Sequence, residues 1–527
     1  MFSQGRMRRC LIIKVDRLSR IEVFAYALII CIHAYALVVF GATYWIDSRD
    51  YVSLATAMST PGDLQFFYRT TGQWIFSHLG PGVPAVWLLL GELPISWQWP
   101  ALAAFQHMLA AGSLIFAFRT VYRLWPSPIH LAFVLLLLLL PAYQAFHNSL
   151  LTESCTSSLV LIGFSCCLRI ARGKRSINNC VIVALMAIVC VTQFRSYWGA
   201  IVALMVFYAL ASRTFLISRW MVVLFAVSAG SALAFPTYRY LQVGQFFLPA
   251  GGINLLISAS QANPHPSSTV KTLIKAAGFS DASAHGEALA SGITMSDALS
   301  AAEKWRAEGL SNSEINEKAE ELASALHSDG MSVQLNRLLY GMASIGAILP
   351  SAVVPQTHEV FPGYSPRDFL NHLYDYYRWQ SWTSGQDYRS TFERFFGPQA
   401  ASDAAIFPFA VSSNAKIYAA FNPYISTFPE RLRDPIDIGV APPDVWLILA
   451  LLAAALLAVQ AREVTILLLC ALAPAFAVAY TFPVGNSRYA VPLFPLYFFV
   501  ASIGATHVIA WSRLLRFQQK SGSNISS

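Results

Sequence analysis

The stretch "YWIDSRDYVSLA", Tyr44 to Ala55, places Asp47, Arg49 and Asp50 directly after a long apolar run. A carboxylate within reach of a hydroxyl can act as a general base. An arginine fork holds phosphate oxygens through charge-assisted hydrogen bonds. The same two residue types recur at a few isolated points: Glu153 in "LTES", Arg195 in "QFRSYWG", Arg239 in "YRY", and Arg488 in "NSRYAVPLFPL". Each stands beside an apolar segment, where an ionisable group is costly without a partner and is a functional candidate for that reason. Together they suit transfer of a group from a phosphate leaving group to a hydroxyl acceptor.

The elements that must position them follow from composition. Of the 527 residues, 56% are hydrophobic and only 12% charged, too little charge to cover a water-soluble protein of this length. Spanning a bilayer takes about 20 mostly apolar residues. Ten such runs lie near 23–45, 100–118, 128–147, 150–168, 177–194, 197–212, 218–238, 443–460, 464–483 and 489–511. The expected fold is therefore an all-α polytopic membrane protein with ten transmembrane helices. The count rises to twelve if the apolar stretches 246–258 and 338–354 also cross, rather than lying re-entrant or in the interface.

Charge orients the spans. Residues 241–440 hold 13 Lys/Arg against 19 Asp/Glu, which leaves +14 of the net +8 on the rest of the chain. That basicity sits on short linkers: Arg119 and Arg123; Arg169, Arg172, Lys174 and Arg175; Arg213 and Arg219; Arg462; and Arg513, Arg516 and Lys520. The positive-inside rule puts all of them in the cytoplasm, so the basicity reflects orientation and not nucleic-acid binding. The expected layout is a cytoplasmic N-terminus (1–22), a membrane module (23–240) with a first outer loop at 46–99, and a large outer segment (241–440). Three final spans (441–511) and a cytoplasmic tail (512–527) complete it. The N-terminal apolar run reads as an uncleaved signal anchor, and the location as the inner (plasma) membrane. Pro61, Pro81, Pro84 and Pro94 break the first outer loop into short pieces, so "VPAVWLLLGELPI" reads as interfacial and not spanning.

On this layout Asp47, Asp50, Glu153, Arg195, Arg239 and Arg488 all fall on the outer side, against the charge rule. Each alone could be a helix cap or an ion pair. Their shared side favours one polar site at the outer membrane surface, acting on a lipid-linked phosphate. The eight cysteines show no metal-ligand spacing and support no disulfide framework. Within the outer segment, Ser311 and Glu314 form a capping box. Ile315, Ala319, Leu322, Ala323 and Leu326 then keep helical spacing, which predicts an amphipathic helix near 312–327. Trp379 and Trp382, in an aromatic stretch with arginine, could stack on a sugar, though such clusters also form small cores or interfacial belts. His33, His107 and His507 lie within spans and read as hydrogen-bonded packing residues.

These motifs resemble the polytopic GT-C glycosyltransferases that use polyprenyl-phosphate sugars, among them protein O-mannosyltransferases and the lipid A aminoarabinose and galacturonosyl transferases. Asp47, Tyr51 and Ala55 match the spacing with which that group opens its first outer loop, although Ser48 stands where many members carry Glu. "LTES" looks like its second acidic site, Arg195 like the basic residue opening the sixth span, and Arg488-Tyr489 with Pro492 and Pro495 like its last outer boundary. The likeness covers roughly 20–240 and 440–510; residues 241–440 carry none. It implies inverting transfer of a sugar to a glycolipid, glycan or protein acceptor of the cell envelope. Asp47 would be the base, with Asp50 and Glu153 beside it. Arg195, Arg488 and Arg239 would bind the donor phosphate, with Tyr51, Tyr489, Trp379 and Trp382 lining the pocket. The likeness points to no particular organic cofactor. Some members use a divalent cation, for which Asp47, Asp50 and Glu153 could supply oxygen ligands.

Two other readings stay open on sequence alone. An O-antigen polymerase or ligase also places outer arginines near a lipid pyrophosphate, but lacks the Asp-x-x-x-Tyr opening. A transporter, or a scaffold that only binds lipid-linked glycans, is the alternative outside catalysis. Seven spans followed by three do not form the two related halves of a typical transporter.

Overall fold

The computed structural model describes residues 19–40, 48–59, 80–93, 95–138, 143, 147, 152–173, 177–213, 217–243, 251–263, 266–279, 293, 295–346, 443–481 and 491–523. Among the described residues every regular element is helical. In a bilayer this is expected, because a helix satisfies its own backbone groups where water cannot.

The apolar helices are α1 (Arg20–Phe40), α4 (Ile95–Leu124), α5 (Ile129–Leu138), α6 (Thr152–Ala171), α7 (Ile177–Phe194), α8 (Ser196–Ala211) and α9 (Ile217–Val243). Later in the chain come α15 (Pro443–Gln460), α16 (Arg462–Thr481) and α17 (Phe494–Ser523). Seven of these ten are long and apolar enough to cross a membrane; α5, α8 and α15 contribute shorter apolar stretches. Two short helices, α2 (Ser48–Ser59) and α3 (Gly82–Leu89), lie between α1 and α4, and neither is long enough to span.

Helix α6 is the hub. It packs against α4, α7 and α8, and every residue but Ile162, Arg169 and Ala171 is buried. Around it, α1 lies on α4, α9 lies on α7 and α8, and α8 also touches α16, joining the early helices to the late ones. The last three apolar helices pack with one another, and α17 also lies on α5. One apolar core runs through the whole bundle.

The two ends of the bundle differ in charge. At one end Arg123 Nε meets Glu22 at 3.0 Å, Arg169 Nε donates to Thr120 Oγ1 at 3.0 Å, and Arg172 pairs with Glu463. Arg213 donates to the last carbonyls of α6, which a cation at a helix C-terminus favours. Helices that run antiparallel put the start of α6, the α7–α8 corner and the end of α9 at the opposite end. Glu153, Arg195 and Arg239 belong to that second end.

A second core belongs to α10 (Gly251–Ala262), α11 (Ser268–Ala276), α12 (Met295–Ala307) and α13 (Asn312–His327). Helix α13 carries the predicted capping box, and Ile315, Ala319, Leu322, Ala323 and Leu326 are all buried. The structure corrects the reading of 246–258. Ile253, Leu256 and Ile257 of α10 are buried in this small core, so their apolarity serves helix–helix packing and not the bilayer. Of 338–354, the described part is the end of α14 (Met331–Gly346), which packs on α16. The Tyr480 hydroxyl donates to Gln334 there at 2.7 Å, and the Tyr497 hydroxyl to Ile345 O at 2.6 Å.

Candidate functional site

The polar site begins at the N-terminus of α6. "TESCTSS", Thr152 to Ser158, is buried on all sides of the helix. Small hydroxyl residues tolerate this position because they bond back to the helix, as Ser158 Oγ does to Ser154 O at 3.0 Å. Glu153 is 2% exposed and Arg195 17%, and the Arg195 Nη2–Glu153 Oε1 distance is 2.6 Å. Arg195 Nε donates to Thr152 Oγ1 at 2.7 Å, and that hydroxyl lies 3.4 Å from Glu153 Oε2. The guanidinium is therefore aimed by two residues of α6. Arg195 can reach them because it sits at the N-cap of α8 in extended backbone, breaking α7 from α8.

The chain at the start of α3 packs on this corner. Glycine at position 80 is required by a close approach: a Cβ there would stand 2.1 Å from Gln193 O. At Gly82 it would meet the Phe194 ring at 2.7 Å. Residues 80–82 thus lie flat on the last turn of α7, next to Arg195. Tyr51 and Ala55 share one face of α2, as their spacing of four requires. Both are buried, in the apolar core of the bundle.

Of the residues singled out by sequence, Glu153 and Arg195 come together directly. Arg239, near the end of α9, is buried with its guanidinium 5.9 Å from the Phe235 ring centre. Asp50 lies in the first turn of α2. Asp47, Arg488, Tyr489, Trp379 and Trp382 fall outside the described residues. Among the described residues no three His, Cys, Asp or Glu side chains are arranged to hold a metal ion.

An apolar cavity of about 610 Å³ opens between α7, α8 and α9. Thr192, Ser196 and Ser228 line it together with Leu204, Phe207, Leu224 and Phe225, and Thr192 and Ser196 flank Arg195 in sequence. Its lining suits an apolar chain.

The sequence alone did not reveal a second polar cluster near this end. His33 of α1 and His107 of α4 face each other with Nδ1 atoms 3.0 Å apart. The His147 ring lies 5.3 Å from His33 and 5.6 Å from His107, centre to centre, and Tyr143 stands edge-on to it at 4.5 Å. His147 Nδ1 bonds Ser154 Oγ at 2.7 Å, one residue along from Glu153. All four rings are buried. The hydrogen-bonded reading of His33 and His107 holds for their Nδ1 atoms. It fails for His507, whose Nε2 has no hydrogen-bond partner among the described residues and whose ring packs edge-on to Trp125. The available signal was the number of histidines in apolar runs, which membrane helices rarely carry without a role.

Comparison with protein-family models, curated proteins and solved structures finds no match for this chain.

Proposed function

We propose that this protein is a membrane glycosyltransferase of the GT-C kind. It would move a sugar from a polyprenyl-phosphate donor to a glycolipid, glycan or protein acceptor at the outer face of the cell membrane. The observation that carries the reading is Arg195. Its guanidinium is aimed by Glu153 and Thr152, at the α7–α8 corner whose neighbouring residues Thr192 and Ser196 line an apolar cavity between α7, α8 and α9. A lipid phosphate has this polarity, with a charged head and a long apolar tail.

In this scheme the acceptor hydroxyl attacks the anomeric carbon with inversion while Asp47 takes its proton. The bond from that carbon to the phosphate oxygen breaks, and Arg195 and Arg488 neutralise the charge that develops on the leaving phosphate. Glu153 serves by holding Arg195 in place. Both chain termini lie in the cytoplasm, following the basic end of the bundle. The test is mass spectrometry of envelope glycolipids and glycoproteins from cells with and without the gene. A sugar missing from one species in the deletion, and restored by the intact gene, is the expected result. Identical profiles would remove the reading.

A further inference from the structure

One buried histidine of this bundle is satisfied at both nitrogens. His130 is the internal reference: Nδ1 meets Ser502 Oγ at 2.9 Å and Nε2 meets Trp125 O at 2.8 Å. The three-histidine cluster departs from that standard. His33 Nε2, His147 Nε2 and the Tyr143 hydroxyl are buried and have no hydrogen-bond partner among the described residues. Each such group has lost its solvation without gaining a hydrogen bond in return. Three of them in one cluster is an arrangement that packing alone does not favour.

The contact between His33 and His107 adds a constraint. Two Nδ1 atoms at 3.0 Å, each in a ring with one lone pair to offer, repel unless a proton lies between them. The pair therefore holds one N–H···N hydrogen bond, and the proton can sit on either ring. His147 lies at the same centre-to-centre distance from His33 as His107 does, 5.3 Å. At that separation the His33–His107 pair brings two nitrogens into hydrogen-bonding contact. His147 thus stands as close to His33 as His107 does, and the Nε2 atoms of both His147 and His33 are unpartnered among the described residues.

We propose that His33, His107 and His147 form one proton-binding site, which takes a single proton and shares it among the three imidazoles. When the proton arrives, an N–H bond forms at an unpartnered Nε2. The N–H bond between His33 and His107 can then break on one ring and form on the other, so the charge moves while the count of protons rises by one. Ser154 Oγ, bonded to His147 Nδ1, fixes that ring and faces the polar start of α6. The titratable groups around the site are Tyr143 beside His147, and Glu153 and Cys155 on either side of Ser154; Glu153 is already held by Arg195. A metal ion is the competing occupant, since imidazoles also bind transition metals.

The experiment uses the full-length protein in lipid nanodiscs with ¹⁵N-labelled histidine. Nitrogen-15 spectra should contain one pair of imidazole nitrogens coupled through an N–H···N hydrogen bond, and His33, His107 and His147 signals should shift together in one pH step. His33→Gln and His107→Gln should each abolish the coupled pair, and proton uptake in that step should fall from one per chain to none. Ser154→Ala, a smaller change, should leave the coupled pair in place and move only the His147 signals, which guards against loss through misfolding. Absence of a coupled pair in the unaltered protein overturns the proposal, as do three histidines titrating separately. A stoichiometric transition metal lost in His33→Gln would overturn it as well.

Discussion

Arg195 and Glu153 lie 42 residues apart in sequence and 2.6 Å apart in space, at the corner where α7 breaks and α8 begins. An ion pair this enclosed stabilises less than its geometry suggests, because both charges have left water. Breaking it is a different matter, since the survivor stays buried and unpaired.

Glu153→Gln should therefore destabilise the bundle by about 3 kcal/mol, the lower part of the range for a buried pair, because Arg195 keeps some exposure. Thermal unfolding in detergent measures it. The double change Glu153→Gln with Arg195→Gln should recover part of that loss. A double-variant loss equal to the sum of the Glu153→Gln and Arg195→Gln losses would show that the pair carries no coupling.

On the proposed function, Asp47→Asn should abolish transfer while leaving expression and unfolding temperature unchanged. Arg488→Ala should weaken binding of a polyprenyl-phosphate sugar more than it weakens the acceptor. Normal product from Asp47→Asn would sink the assignment of that carboxylate.

The outer helical unit has its own pH dependence. Burial, aided by nearby Arg337, pushes His327 down to about 4 from an ordinary 6.5. The unfolded chain thus binds a proton near 6.5 and the folded unit only near 4. Stability is then full above that upper value and falls as pH drops through the window. Asp329 acts lower. Burial raises its carboxyl, but hydrogen bonds from Ser267 and Asn263 outweigh this and hold it below 3.8, so its contribution is lost only in stronger acid. Hydrogen exchange of α13 amides across pH 4 to 6.5 should show the first slope, and His327→Gln should flatten it.

Ser311→Ala removes the side-chain acceptor that caps α13. A cap of this kind contributes about 1 kcal/mol. Amide exchange in residues 312–316 should accelerate about fivefold, while exchange in α6 stays unchanged.

Gly80→Ala should cost about 1–3 kcal/mol, the scale of an overpacked core. The added carbon meets a backbone carbonyl that cannot swing aside. Faster exchange in α3 is the expected readout.

Much of this architecture was legible in the sequence, for a physical reason. A span must be apolar over most of its length, and that pattern survives any tertiary arrangement. The run 177–194 became α7 with the same limits, and 312–327 became α13 under its capping box. Residues 246–258 were misjudged because a short apolar run reads alike in a membrane interface and in a small core. The pairing of Glu153 with Arg195 was legible only as a shared end of the bundle. The histidine cluster was not legible, because His33 and His107 meet through the packing of α1 on α4, which leaves no spacing in the chain. Asp47 and Arg488 rest on charge placement and resemblance in the sequence, and the two tryptophans on their aromatic stretch.

The absence of a side chain at Gly80 and Gly82 has a mechanical meaning. Backbone pressed on backbone has no flexible side chain between the surfaces to absorb a shift. The start of α3 and the last turn of α7 therefore behave as one lever, with Arg195 at its tip. Any shift of that arginine is felt at the start of α3 in the same motion.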